Sequence, residues 1–131
     1  MFDTNLIGPI RVIHAFLPPL AKSSGPMIVN VSSGLGSFAA THDESRIEST
    51  VAVPLYSVSK AGLAMLTTQY ARALPHIRIN AADPGYTATD LNDHRGAQSV
   101  EEGTDAIVHL ATLPSHGPTG TFVDKQGSVA W

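Results

Sequence analysis

The segment Met27-Ile28-Val29-Asn30-Val31-Ser32 constrains the fold more than any other part of the chain. It is short, apolar and rich in β-branched residues, it does not alternate polar with apolar, and breakers bound it. Ser23-Ser24-Gly25-Pro26 stands ahead and Ser33-Gly34-Leu35-Gly36 behind. A strand of this kind has no face for water, which is how a strand in a parallel sheet reads. Such a sheet is covered on both faces, so helical segments are required on either side of the strand in the sequence.

They are present. From Phe2 to Ala21 the residues Phe2, Leu6, Ile7, Ile10, Val12, Ile13, Phe16, Leu17 and Leu20 recur at helical spacing around most of the circumference, so this helix needs partners on more than one side. Pro18-Pro19 and the following Ser-Gly-Pro stretch are expected to close it. Phe38 to Val53 is more polar and is expected to be a surface excursion. A second helix opens at Pro54, contains Ala61, Leu63, Ala64, Met65 and Leu66, and runs to about Leu74 before Pro75. Ile77-Arg78-Ile79-Asn80-Ala81-Ala82 forms a second strand, broken by Asp83-Pro84-Gly85. Ser99-x-x-Glu102 is a capping box that starts a third helix, ended by Leu113-Pro114. From Thr119 to Trp131 the pattern is a last strand with a short return, turning at Asp124-Lys125-Gln126-Gly127. The alternation defines one α/β domain over residues 1–131, with a parallel sheet and flanking helices.

Composition removes several function classes. With 131 residues, 43% hydrophobic and 15% charged, the chain can bury a core. A net charge of -3 without a Lys/Arg cluster leaves no electrostatic footprint for nucleic acid or an anionic membrane. No cysteine is present, so no disulfide framework exists, as suits a reducing cytoplasm. The start Met1-Phe2-Asp3-Thr4-Asn5 lacks a basic signal-peptide region, and no apolar run spans a bilayer. The expectation is a soluble, cytoplasmic protein.

Chemistry concentrates in Tyr56-Ser57-Val58-Ser59-Lys60. Four residues apart on a helix, Tyr56 and Lys60 share a face. A positive charge beside a phenol oxygen favours the phenolate, which places acid/base chemistry within one helical turn. A lysine snorkelling past an amphipathic tyrosine has the same spacing, so position decides between the two. In parallel sheets ligands sit beyond the carboxyl ends of the strands, and both candidate strands end there in loops, Ser32-Ser33-Gly34 and Asp83-Pro84-Gly85. The six histidines are scattered without metal-site spacing, so no metal site is expected. A Ser-His-Asp hydrolase built on Ser33 would lack the Gly-x-Ser-x-Gly elbow.

The order of these motifs resembles the short-chain dehydrogenase/reductase family over essentially the whole chain. Asn5-Leu6-Ile7-Gly8 is similar to its Asn-x-x-Gly element, Val29-Asn30-Val31-Ser32-Ser33 to its catalytic strand, Tyr56-x-x-x-Lys60 to its signature pair, and Asp83-Pro84-Gly85-Tyr86-Thr87-Ala88-Thr89 to its Pro-Gly loop. The resemblance implies a Rossmann-like fold and an NAD- or NADP-dependent oxidoreductase acting on small carbonyl or alcohol substrates, without a metal. It implies Asn5, Ser33, Tyr56 and Lys60 as catalytic residues. Tyr56 would exchange the proton, Ser33 would hold the substrate oxygen, and Asn5 would support a water-linked relay behind Lys60. Tyr56, Lys60, Pro84, Gly85, Thr87 and Thr89 would line the nicotinamide side. Asn5 equally fits a plain helix N-cap beside Asp3 and Thr4.

Two departures qualify the resemblance. Ser33 and Tyr56 stand 23 positions apart, more than in the simplest family members. The extra residues around Thr41–Thr50 are expected to form a flap near the substrate mouth, as in carbonyl-reductase-like members. The family's N-terminal dinucleotide-binding strands, with the phosphate loop and the residue that selects NAD or NADP, have no counterpart in this sequence. Gly34-Leu35-Gly36-Ser37-Phe38-Ala39 formally fits a Gly-x-Gly-x-x-Ala loop, but no apolar helical periodicity follows it, so it is not expected to bind phosphate. The second reading is therefore an inactive fragment or a non-enzymatic interaction module. Either way the first strand should be an unpaired apolar edge, and self-association through that edge or the helices is expected.

Overall fold

The computed structural model describes Met1–Trp131. A wide π turn over Asp3–Ile7 leads into α1 (Gly8–Leu20). Then follow β1 (Met27–Val31), a 3₁₀ turn at Gly34–Gly36, α2 (Phe38–His42), a 3₁₀ turn at Ile47–Thr50 and α3 (Pro54–Ala73). The second half holds β2 (Arg78–Ala82), a 3₁₀ turn at Asp90–Asn92, α4 (Val100–Ala111), β3 (Phe122–Asp124) and β4 (Gly127–Ser128).

The sheet runs in the order β1-β2-β3-β4, parallel across the first three strands and antiparallel at the last, so the expected α/β, Rossmann-like sheet is mixed at its end. Successive side chains of a strand point to opposite faces, and the core divides accordingly. Ile28 and Ile79 pack with Leu17 and Leu20 of α1, Tyr70 and Ala71 of α3, and Leu74 and Ile77 of the connection between α3 and β2. Val29 and Ala82 pack with Ala106, Ile107 and Leu110 of α4. A third cluster joins Ala81, Phe122 and Val129, with Trp131 stacked on Phe122 at 5.2 Å between ring centroids. The capping box closes as expected: Ser99 Oγ accepts from the Glu102 N–H (3.2 Å), and Glu102 accepts from the Ser99 N–H (2.9 Å).

α1 ends at Leu20, directly after Pro18 and Pro19, as the breaker residues predict. Two expectations need correction. Asn5 is not an N-cap; it lies within the π turn, and no side chain caps that turn. The 38–53 segment is not a bare excursion. Ser37 is buried, its Oγ accepts from the Ala40 N–H (2.9 Å) to start α2 and donates to Ala130 O (2.6 Å), fastening the segment to the C-terminus.

β1 lies at the edge of the sheet with no strand beyond it, and Val31 is 43% exposed. Beside it α1 buries only Ile13, while Val12 and Phe16 are each 58% exposed. The first helix thus has a partner on one side, and the apolar edge is open.

The Gly34-x-Gly36 pattern has a packing explanation. A Cβ on Gly36 would stand 2.6 Å from the Lys60 carbonyl carbon and 2.8 Å from the Ala61 nitrogen, both backbone atoms of α3. Gly36→Ala should therefore cost about 1–3 kcal/mol, read as a lower urea midpoint; an unchanged midpoint would show that the loop and α3 are not in close contact.

Candidate active site

The parallel pairing of β1 with β2 aligns Val31 with Ala82, so both strands release their loops at one end of the sheet. Ser32 and Ser33 leave β1 there, and Asp83, Pro84 and Gly85 leave β2. The Ser32 N–H donates to Ala82 O (2.8 Å), extending the ladder by one residue. Ser33 caps the next turn, its Oγ accepting from the Leu35 N–H at 3.3 Å, which leaves its own hydroxyl proton free to donate. The neighbouring Ser32 Oγ is buried without a hydrogen-bond partner, an arrangement that costs about 1–3 kcal/mol.

α3 begins with Pro54 and brings Tyr56 and Lys60 to the same face. The Lys60 ammonium stands 5.7 Å from the Tyr56 ring centroid and donates to Val31 O (2.8 Å) at the end of β1. The lysine is therefore tied to the sheet and does not snorkel into solvent. Burial pushes its titration down from the ordinary lysine value, and the negative charge of Asp83 opposes that shift.

Asn5 reaches the same helix by another route. Its Nδ2 donates to Ser59 Oγ (3.1 Å), and Ser59, fully buried, donates to Tyr56 O (2.7 Å). Asn5 thus joins α3 one residue before Lys60 and has no direct bond to the ammonium. Ser59 was not singled out from the sequence; its place directly before Lys60 was the available signal.

Pro84 and Gly85 form a tight turn in which Gly85 takes φ +67° and its N–H donates to Asp83 Oδ1 (2.9 Å). A positive φ of this size favours glycine. Thr87 turns inward, donating its Oγ1 to Pro84 O (3.0 Å), while the Thr89 N–H donates to Asn92 Oδ1 (3.2 Å) and Asn92 Nδ2 to Thr87 O (2.8 Å). Both threonines are thereby fixed in the loop that follows the Pro-Gly turn.

A cleft of about 430 Å³ opens beside this turn, lined by Arg46, Glu48, Asp83, Pro84, Gly85 and Tyr86 among others. None of Asn5, Ser33, Tyr56, Lys60, Thr87 or Thr89 borders it. Arg46 is among its lining residues, donating to both Glu48 oxygens (3.1 and 3.2 Å) and to Asp124 Oδ2 (3.1 Å), and these bonds raise its already high affinity for a proton. The 38–53 segment is thus clamped to β3.

A Rossmann-like α/β protein with a tyrosine-lysine pair at the carboxyl end of its strands is the class these features define. The chain belongs to the short-chain dehydrogenase family, whose model matches residues 1–99. It is 34% identical to (-)-isopiperitenone reductase of Mentha piperita, the match covering 97% of this chain and 51% of that one. Carbonyl reductase Sniffer of D. melanogaster superposes with a TM-score of 0.80 at 26% identity, over 99% of this chain and 55% of that one. An NADPH-bound carbonyl reductase from chicken fatty liver gives 0.79 at 28% identity, over 99% and 53%. The chain therefore spans about half the length of the curated relatives it matches. No helix is long and apolar enough to cross a membrane.

The Lys60 environment has a consequence for stability. The fold disfavours its ammonium, so between the depressed folded value and the ordinary 10.5 the unfolded chain holds more protons, and stability rises with pH through that window. Lys60→Met should accordingly remove this contribution, so that the thermal midpoint, followed by circular dichroism, rises less between neutral and alkaline pH than in the native chain. An unchanged pH dependence would contradict the burial cost.

Proposed function

We propose that this chain carries the acid/base half of an NAD- or NADP-dependent oxidoreductase that interconverts small carbonyl and alcohol compounds. The observation that carries the reading is the half-buried Lys60 ammonium, anchored on Val31 O and lying 5.7 Å from the Tyr56 ring centroid at the carboxyl end of the sheet. Family membership and the relatives named as reductases support it.

The residues present suit the nicotinamide end of such a cofactor. An ammonium has three donors, and Lys60 uses one on Val31 O, leaving two for ribose hydroxyls. Pro84, Gly85, Thr87 and Thr89 offer the neighbouring wall, held rigid by the bonds described above. The diphosphate has no comparable cradle, because Gly36 is filled against α3 and the helix that follows has only five residues. When bound, the nicotinamide supplies or accepts the hydride.

On this reading Tyr56 Oη donates its proton to the carbonyl oxygen in reduction and takes it back from the alcohol in oxidation. The Lys60 charge stabilises the phenolate so produced. Ser33, whose hydroxyl proton is not committed, donates to the same substrate oxygen as negative charge builds there, a contribution on the scale of about 2.7–4 kcal/mol for one such donor. Asn5 acts through Ser59, fixing the first turn of α3 on which Tyr56 and Lys60 stand and supporting the proton path behind them. A cytoplasmic setting belongs to the same proposal.

A second reading has its own observation. The open β1 edge and the exposed Val12 and Phe16 suit a chain that pairs with another polypeptide rather than turning over substrate alone. The two readings differ in measurable ways. Tyr56→Phe should abolish ketone reduction with NADPH while leaving the circular dichroism spectrum unchanged; turnover that survives the substitution removes Tyr56 from its role. The purified 131-residue chain should self-associate by light scattering and bind NADPH weakly by fluorescence titration. Low-micromolar affinity would contradict the lack of a phosphate cradle.

A further inference from the structure

The tail around Trp131 reaches the segment that follows Ser33, and its own anchor is aromatic. The Trp131 ring stacks on Phe122 with 5.2 Å between centroids and 21° between planes. Phe122 is 1% exposed and lies in β3, in register with Ala81 of β2. Val129 closes the same return, its N–H donating to Phe122 O (2.8 Å). From this anchored tail two carbonyls meet the segment after Ser33. Ala130 O accepts from Ser37 Oγ at 2.6 Å, and Trp131 O accepts from the Ala39 N–H at 3.3 Å.

Ser37 is the far end of the turn that Ser33 begins. The Gly36 N–H donates to Ser33 O and the Ser37 N–H to Gly34 O, each at 2.9 Å, so the residues from Ser33 to Ser37 form one closed turn. The same turn rests on α3, where Gly36 leaves no room for a Cβ against the backbone of Lys60 and Ala61. It is thus registered on two bodies, on α3 by close contact and on the β3–β4 return by hydrogen bonds.

We propose that Trp131 is a positioning residue, which holds the turn carrying Ser33 in place through Ala130 and Ser37. This rests on the reading of Ser33 as the donor to the substrate oxygen. The stack on Phe122 sets where Ala130 O lies, and that carbonyl holds the Ser37 hydroxyl, which also accepts from the Ala40 N–H (2.9 Å) to start α2. The two bonds inside the turn carry the position back to Ser33. Ser37 is buried, so withdrawing Ala130 O leaves a buried donor unmatched, and the segment must move to satisfy it. A donor aimed at developing charge is effective only at hydrogen-bond distance from that charge, so displacement of the turn acts on the chemical step.

The test compares the native chain with Trp131→Ala, Trp131→Phe and Ser37→Ala by amide-resolved hydrogen exchange, and adds ketone reduction with NADPH. Trp131→Ala and Ser37→Ala should each speed exchange of the Gly36 and Ser37-position amides by about tenfold or more, while the α3 amides from Leu63 to Thr67 keep their native rates. Trp131→Phe keeps an aromatic ring on Phe122 and should restore the native rates. Acceleration shared equally by the α3 amides, or none in a folded Trp131→Ala chain, would overturn the proposal. Turnover supplies a readout that a loss of stability does not reproduce. Trp131→Ala should lower kcat in the native background and cause no further loss in a Ser33→Ala background, where the turn has no hydroxyl to place; equal losses in both backgrounds would count against the strap. A native chain without turnover defeats the role of Ser33 and leaves exchange to decide the strap. An active chain with equal losses and native exchange defeats the strap alone.

Discussion

Five consecutive residues of β1 lie in parallel register with five of β2, and the site exists because of that pairing. Parallel register means that both strands end on the same side of the sheet. The serines leave one strand where the Pro-Gly turn leaves the other, and α3, packed across the same sheet, places Lys60 against the last carbonyl of β1. Had the strands been antiparallel, Ser33 and Gly85 would stand at opposite ends of the sheet. The chemistry of the candidate site is in this sense a property of strand direction before it is a property of any side chain.

Burial and charge are balanced around that end of the sheet at some expense to the fold. Lys60 and Asp83 each sit where burial disfavours the ionised form, and Ser32 keeps a hydroxyl without a partner. Groups held at a cost of this kind cluster where function needs them, because a fold selected for stability alone would exchange them for apolar residues. Elsewhere the polar groups are matched. Buried Asn30 donates to Thr67 (2.9 Å), and Asn80 bonds Pro118 and Thr121. The contrast within one small core supports a functional explanation for the first set and a structural one for the second.

Much of this was legible in the residues. The β-branched runs at Met27 and Ile77, the proline opening α3 and the Ser99–Glu102 box fixed their elements because each acts locally. The spacing of Tyr56 and Lys60 placed them on one helical face for the same reason. What escaped was decided across the chain. α2 has little helical signal of its own; it starts at the Ser37 N-cap, which is also bonded to Ala130. Asp83 looked like part of a turn signal, and only the folded chain brings Gly34 beside it, where a Cβ on the glycine would stand 2.9 Å from Asp83 Oδ2. The Asn5 amide likewise meets Ser59, 54 positions away, which no local pattern announces.

The clamp between Arg46 and Asp124 spans 78 positions, and the bond from Ser37 to Ala130 spans 93. Closing loops of that length carries an entropic cost that the contacts at their ends must offset. The segment from Ser37 to Thr50 is consequently the part of the molecule that depends on the final residues of the chain. The cleft that this segment borders is therefore walled by residues from both ends of that long loop, Arg46 and Glu48 on one side and Asp124 on the other.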